Sequence, residues 1–251
     1  MTKTFLWRSL QLSKWLIKSK SCHAVHSPLL YKMCRHVFCQ PSYESKWLFK
    51  KWLSSLPSEY KHIAKKSAIH PYDAKLLLGL ARFCNPGIII EIGTGFGFST
   101  VVLHHASPTS PILTFETDNK RRLIAQTSFH KIFTGRHALQ QVQFINKRFP
   151  HDSLNLSSTE TYFMFIDGGH SKQQMNLYAE WMFKKLPKKS VVVLHDIYWS
   201  EDMLQSWQSL WDNERTTFWV DMFRLGVLIL DYPAQKMQAY LRPGPPLFIP
   251  L

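Results

Sequence analysis

One short segment limits the fold of this chain more than any other. Residues 88–92 form an apolar run of strand length, and a glycine-rich turn and a helix-length segment follow it directly. Gly93 and Gly95 allow positive φ angles and a close approach of the backbone to a ligand, while the start of the next helix presents free N–H groups. The segment predicts a buried strand, a ligand-binding turn and a helix, which together are a building unit of α/β sheets.

Short apolar runs continue to alternate with helix-length segments. They lie at 88–92, 112–116, 142–145, 162–166 and 190–195. This alternation predicts a parallel sheet with crossover helices, because parallel strands need long connections. Two further runs, 216–220 and 225–230, are too close for a crossover helix and should form an antiparallel hairpin at the sheet edge. The expected fold is a Rossmann-like α/β fold with a seven-stranded, mostly parallel sheet and an antiparallel last strand.

The first 85 residues have a different pattern. Helical periodicity and first-turn prolines predict helices near 4–19, 28–38, 45–55 and 71–84. The chain therefore divides into a helical, basic N-terminal layer, residues 1–85, which would cap the site and contribute to substrate binding, and a ligand-binding domain, residues 86–251.

Basic charge is concentrated near the N-terminus. Residues 1–80 contain 14 Lys/Arg and three acidic residues, whereas residues 81–251 contain 17 Lys/Arg and 14 acidic residues. Such a field favours nucleic acid or anionic lipid as a partner, but a solvated helical surface explains it more simply. Residues 1–43 lack acids, which suits a transit peptide or an interfacial amphipathic helix. We favour a third interpretation, in which apolar positions between Leu6 and Ile17 pack this helix on the domain.

The chain shows no sign of secretion or of membrane insertion. The four cysteines, Cys22, Cys34, Cys39 and Cys84, form no CxxC pair and match no common zinc pattern. No apolar run approaches the roughly 18 residues of a membrane span. We therefore expect a cytoplasmic protein that is not an integral membrane protein.

Two features of the glycine-rich segment favour S-adenosylmethionine (SAM) over NAD as its ligand, and a third residue indicates that the ligand contains a ribose. A dinucleotide-binding pattern would need glycine at position 98, where this chain has the bulky Phe98. Glu91 precedes the turn and can help to hold the ammonium group of methionine. Glu116 closes the next strand, where a carboxylate can accept both ribose hydroxyls, although NAD enzymes share that acid.

Five motifs spread over most of the chain point to one family. They are Glu91-Ile92-Gly93-Thr94-Gly95, Phe165-Ile166-Asp167-Gly168-Gly169-His170, Val193-Leu194-His195-Asp196-Ile197-Tyr198-Trp199-Ser200, Val25-His26-Ser27-Pro28 and Val220-Asp221-Met222-Phe223-Arg224-Leu225-Gly226. The chain resembles class I SAM-dependent methyltransferases, and within them it is similar to small-molecule O-methyltransferases and to a group of uncharacterised bacterial methyltransferases. The resemblance implies a transferase that uses SAM to methylate an oxygen of a small molecule.

We expect eight residues to contact the cofactor. They are Glu91, Gly93, Thr94, Gly95, Gly97, Ser99, Glu116 and Asp167.

The catalytic candidates follow the fourth and fifth strands. Asp167, His170, His195 and Asp196 fall at the carboxyl edge of the sheet, where ligands bind in open α/β folds. In the similar catechol-type enzymes, an Asp and an Asp-Asn pair bind a divalent metal, and a Lys three residues after the first Asp is the base. Here His170 falls at the Lys position and His195-Asp196 replaces the pair. We therefore predict catalysis without a metal and with a histidine base, while a His/Asp/Asp metal site and purely structural histidines remain alternatives.

Two other functions fit parts of the sequence. A nucleic-acid methyltransferase would fit the basic N-terminal third, but such enzymes commonly carry an Asn/Asp-Pro-Pro-aromatic loop where residues 167–170 stand here, and no Pro-Cys nucleophile occurs either. A non-catalytic scaffold would not need the intact glycines and both acids. The expected partner is a small-molecule acceptor, and a homodimer is left open.

Overall fold

A computed structural model describes residues 3–25, 27–150, 154–169 and 171–243. Within these ranges, the sheet is preceded by five α-helices: α1 Lys3–Lys18, α2 Pro28–Phe38, α3 Ser42–Ser55, α4 Ser58–Ser67 and α5 Pro71–Cys84. The sequence predicted all of them except α4. That helix buries only Ala64, so its sequence lacks the apolar periodicity that identifies amphipathic helices.

The described sheet has eight strands. They are β1 Ile88–Ile92, β2 Ile112–Phe115, β3 Val142–Ile145, β4 Tyr162–Ile166, β5 Val191–His195, β6 Thr216–Asp221, β7 Leu225–Leu230 and β8 Met237–Tyr240. Their order is β3-β2-β1-β4-β5-β7-β6-β8, and only β7 runs against the others. The mostly parallel sheet with an antiparallel β7 confirms the predicted architecture.

One detail of the predicted sheet was wrong. The β6–β7 hairpin does not end the sheet, because β8 pairs in parallel with the outer side of β6. The four residues of β8 are half-buried or exposed and include Gln238, so they do not stand out as an apolar run.

Helices connect β1 to β2, β2 to β3, β4 to β5 and β5 to β6. They are α6 Phe98–Ala106, α7 Asn119–Ile132, α8 Arg136–Gln141, α9 Lys172–Lys185 and α10 Glu201–Ser209. Strand order reverses between β1 and β4, whose carboxyl ends therefore border the crevice in which such folds bind ligands. In the described part of the chain, no helix is long and apolar enough to cross a membrane.

The two faces of the sheet bury separate apolar clusters. Ile89 of β1 faces a cluster with α2, α3, α5 and α6, whereas Ile90 and Ile92 face a cluster with α9 and α10. This alternation is the two-residue period of a strand that is covered on both sides. Residues before 86, including Leu48 and Trp52, supply much of the first cluster, so the core is continuous across the predicted division at residues 85 and 86.

Helices α2 and α5 approach each other closely at Gly79. A Cβ atom at this position would lie 2.7 Å from the Val37 Cα atom and 2.8 Å from the His36 carbonyl oxygen. Both neighbours are backbone atoms and cannot rotate away. Only glycine therefore permits this helix crossing.

We expect Gly79→Ala to lower the free energy of unfolding by about 1–3 kcal/mol, the usual cost of overpacking, even though alanine favours a helix by about 1 kcal/mol over glycine. Gly135→Ala is the matched control, because Gly135 has a φ of −69° and nothing within 4 Å of an added Cβ. Urea denaturation would measure both variants. Equal stability of Gly79→Ala and the parent would contradict the close crossing.

Candidate active site

A cavity of about 370 Å³ opens at the carboxyl edge of the sheet. Residues after β1, β2, β3 and β4 line it on one side, and residues of α3, α4 and the segment after α4 line it on the other. The volume lies within the range of small-molecule sites. The N-terminal helices thus form part of the wall around this crevice.

The glycine-rich turn has the backbone that the sequence predicted. Gly93, Gly95 and Gly97 have φ angles of +96°, +54° and +88°, which favour glycine. A Cβ on Gly93 would lie 2.6 Å from the Asp167 carbonyl oxygen, so this glycine lets the β1 and β4 ends pack together. A Cβ on Gly95 would have no neighbour within 4 Å, and this residue lines the cavity. Gly95 therefore leaves room for a ligand.

Glu116 is held against the cavity by backbone donors. Its Oε2 accepts a hydrogen bond from the Gly95 N–H at 2.9 Å, and its Oε1 accepts one from the Asp118 N–H at 2.9 Å. Each carboxylate oxygen keeps a further lone pair. The side chain can therefore accept hydrogen bonds from a ligand diol while its orientation stays fixed.

Glu91 lies behind the turn and is absent from the cavity lining. Its side chain is buried, and Oε2 accepts a hydrogen bond from Thr100 Oγ1 at 2.5 Å. Burial raises the pKa of Glu91 to about 7, although hydroxyl donors of Ser99, Thr100 and Thr114 oppose the shift. Its contacts join β1 to the start of α6.

The predicted cofactor residues separate into two groups. Those that line the cavity are Gly93, Thr94, Gly95, Ser99, Glu116 and Asp167. Glu91 and Gly97 do not line it, and an added Cβ on Gly97 would instead lie 3.0 Å from Ala125 Cβ. His26 and His170 lie outside the described residues.

A buried ion cluster lies beside Asp167. His195 Nδ1 is 2.8 Å from Asp167 Oδ1, and His195 Nε2 is 3.2 Å from Asp73 Oδ2. Arg224 Nε donates a hydrogen bond to the same Asp73 oxygen at 2.8 Å. Asp196 completes the cluster, with Oδ2 at 3.6 Å from His195 Nδ1 and Oδ1 at 3.6 Å from Arg224 Nη2. The cluster therefore joins α5, the ends of β4 and β5, and the β6–β7 turn.

Electrostatics keep His195 protonated. Burial opposes the charged imidazolium, but attraction and hydrogen bonds from Asp167, the hydrogen bond to Asp73 and the charge of Asp196 raise the pKa of His195 well above its ordinary value. Burial also opposes ionisation of Asp73, yet His195 and Arg224 lower its pKa. His195 is thus a donor to two carboxylates, which does not support its predicted role as a neutral base.

Sequence reasoning missed Asp73 and assigned no role to Arg224. Asp73 is the only acid between Glu59 and Glu91, and such an acid in an apolar helix was a signal of a specific partner. Arg224 belongs to a quoted motif, but its partner lies 151 positions away. Asp73 could be paired with Arg224 only by knowing how α5 packs on the sheet.

The donor set does not fit a divalent metal. His195 directs both ring nitrogens to carboxylates, and the Arg224 guanidinium stands beside Asp73 and Asp196. Two cations of the chain already neutralise the acids that a metal would need. Among the described residues, no group of three His, Cys, Asp or Glu side chains is arranged to hold a metal ion.

The comparison with protein families identifies the domain that contains this cavity. Residues 90–197 match the family model described as a methyltransferase domain. The matched segment begins in β1 and ends just after β5, so it includes Glu116, Asp167 and His195. A search among curated proteins gave no match to the sequence.

Solved methyltransferase structures are similar to this one. A methyltransferase from Podospora anserina, bound to S-adenosylhomocysteine (SAH), gives a TM-score of 0.57 at 14% sequence identity. The alignment covers 73% of this chain and 87% of the Podospora chain. An O-methyltransferase from Bacillus cereus, in complex with SAH, gives a TM-score of 0.50 at 17% sequence identity. The alignment covers 74% of this chain and 90% of the Bacillus chain. The O-methyltransferase TomG from Streptomyces achromogenes is involved in tomaymycin synthesis and was crystallised in complex with SAM. It gives a TM-score of 0.51 at 15% sequence identity, and the alignment covers 92% of this chain and 99% of TomG. The predicted methyltransferase fold is confirmed.

We expect His195→Asn to destabilise the protein by about 3–5 kcal/mol at pH 6, because it removes one of the two cations that neutralise the buried Asp73 carboxylate. The native protein holds a proton that the unfolded chain releases above about pH 6.5. This contribution is therefore complete below that pH and is lost as pH rises through the native pKa of His195.

The difference in free energy of unfolding between parent and variant should consequently shrink towards alkaline pH. Taking this difference cancels the titration of Glu91 and Asp221, whose pKa values burial also raises. Urea denaturation from pH 6 to pH 9 measures it. A difference that grows with pH would show that His195 is neutral in the native protein.

Proposed function

We propose that this methyltransferase transfers the methyl group of SAM to a hydroxyl oxygen of a small molecule. The observation that carries the proposal is the Gly95 turn facing open space, with the Glu116 carboxylate held beside it at the cavity. The names of the O-methyltransferases from Bacillus cereus and Streptomyces achromogenes, crystallised with SAH and SAM, support both the donor and the acceptor atom.

The chain has the groups that a nucleoside cofactor needs. Glu116 would accept the ribose hydroxyls, and Gly93, Thr94, Gly95 and Ser99 would border the rest of the ligand. When bound, SAM supplies an electrophilic methyl group on a sulfonium. We assign Glu91 an indirect part, because its carboxylate orders the turn from behind through Thr100.

On the acceptor side, the task of the protein is to position a hydroxyl and remove its proton. Asp167 lines the cavity and would orient the hydroxyl, while His195 holds Asp167 from behind. Asp196 would act through His195, whose Nδ1 lies 3.6 Å from its Oδ2. His170 directly follows Gly169, which lines the cavity, and we propose it as the base. A histidine base acts when neutral, so turnover should rise with pH through its pKa.

The remaining parts of the proposal concern the cell and partners. A small-molecule acceptor is the proposed partner. A cytoplasmic location is supported by the four cysteines, all of which are free thiols. We propose that the chain divides into an N-terminal helical layer, residues 1–85, and a SAM-binding domain, residues 86–251. Sedimentation velocity would show whether the protein forms a homodimer.

We expect Glu116→Ala to weaken binding of S-adenosylhomocysteine (SAH), the product of the donor, by about 1.5–3 kcal/mol, the range for hydrogen bonds to a charged group. Isothermal titration calorimetry measures the affinity directly and needs no acceptor. Glu180→Ala is the matched control, because it removes one exposed carboxylate on α9. Unchanged affinity in Glu116→Ala would reject the ribose assignment.

We expect Mg²⁺ or Mn²⁺ to leave the protein's stability unchanged. A ligand that binds only the native state raises Tm, but His195 and Arg224 already occupy the carboxylates here. Tm should therefore rise no more with millimolar Mg²⁺ than with NaCl of equal ionic strength, and SAH affinity should survive EDTA. A specific rise in Tm that EDTA reverses would restore a metal site.

A further inference from the structure

Helix α1 is fixed to the domain by its inner face. Trp15 is buried, its ring centroid lies 5.6 Å from that of Phe223, and its Nε1 donates to the Asp221 carbonyl oxygen at 3.3 Å. Leu12 and Leu16 pack against the same apolar cluster. The sequence favoured the packing of this helix on the domain, and these contacts cover one face of α1.

The opposite face carries a second apolar stripe. Leu6, Leu10 and Ile17 are 53%, 54% and 86% exposed. At 3.6 residues per turn, positions 6, 10 and 17 lie within a narrow sector of the helix, and at 1.5 Å per residue they extend over about 17 Å. Trp15 already anchors the other side, so this stripe is not needed for folding. Three large aliphatic side chains in one line form a candidate interaction surface.

Charge near the stripe selects the kind of partner. Lys14 and Lys18 are exposed beside the stripe, and the Lys18 Nζ atom also lies 5.4 Å from the ring centroid of Tyr240. Residues 1–43 contain seven Lys/Arg and no acid. A second copy docking through the same face would bring like charges together. Nucleic acid would match the charge, but aliphatic side chains give bases no stacking platform. Aliphatic residues flanked by lysines match an anionic bilayer, which offers both an apolar interior and negative headgroups.

We propose that the outer face of α1, formed by Leu6, Leu10 and Ile17 and bordered by Lys14 and Lys18, docks on the surface of an anionic lipid bilayer. With 16 residues, α1 is too short to span the roughly 30 Å hydrocarbon core. Its inner face stays on the domain, so the helix lies in the plane of the membrane and binds peripherally.

An aromatic residue of the domain contacts the inner face of α1. The Arg8 guanidinium carbon lies 5.2 Å from the ring centroid of Trp199, whose side chain is 48% exposed. At 100° per residue, Arg8 lies about 20° from the buried Trp15 around the helix axis. This contact therefore adds to the attachment of the inner face and leaves the stripe uncovered.

Vesicle co-sedimentation of the full-length protein tests the proposal. One set of vesicles contains phosphatidylglycerol and phosphatidylcholine, and the other phosphatidylcholine alone. We expect binding to the anionic vesicles that weakens in high salt, and a loss of about fivefold for each of Lys14→Gln and Lys18→Gln. The triple variant Leu6→Ser/Leu10→Ser/Ile17→Ser should lose on the order of tenfold or more.

The control is Ile63→Ser/Leu123→Ser/Leu177→Ser, which removes three aliphatic residues of similar exposure from α4, α7 and α9. It should bind vesicles within about twofold of the parent, because these helices lack the stripe. Tm and SAH affinity, measured on both triple variants, confirm that the fold persists and separate this proposal from the proposed methyl transfer.

Absence of binding to anionic vesicles would overturn the proposal, as would an equal loss in the control triple. Sedimentation velocity tests the competing occupant. Concentration-dependent dimers that disappear only in the stripe variant, without vesicle binding, would assign this face to a second copy instead.

Discussion

The buried carboxylate of Asp73 is the constraint on which the arrangement of the active site depends. Removing an ionised group from water costs several kcal/mol unless opposite charges and hydrogen bonds replace the solvent. His195 and Arg224 provide both, one from the end of β5 and the other from the β6–β7 turn. Helix α5 can therefore pack its first turn on the sheet only where these two cations meet it.

The backbone near this cluster adopts uncommon conformations. Asp196 has a φ of +54° and Phe223 a φ of +68°, a region that costs non-glycine residues of order 1–3 kcal/mol. Such conformations persist only where surrounding contacts impose them. Asp196 lies beside His195 and Arg224, while the Phe223 N–H donates to Asp221 Oδ1 and its ring stacks on Tyr198. The ion cluster and the strained turns support one another beside Asp167, at the edge of the cavity.

Asp167 links this charged framework to the proposed chemistry. Its side chain accepts from His195 and also lines the cavity, so the orientation of one carboxylate depends on helix α5 and on the β6–β7 turn. The N-terminal helices therefore do more than cover the sheet. They supply a wall of the cavity, a counter-ion of His195 and, through α1, the proposed docking surface.

The sequence by itself determined the local features of this protein. The strand, glycine turn and Glu116 could be predicted because each depends on neighbouring residues and on a short periodic pattern. Helix α4 and strand β8 could not, since neither has an apolar pattern. The sequence also left His195 open as a base, a metal ligand or a structural histidine. Only the tertiary structure decided its charge, because Asp73 lies 122 positions away and a pKa depends on which charges share a buried volume.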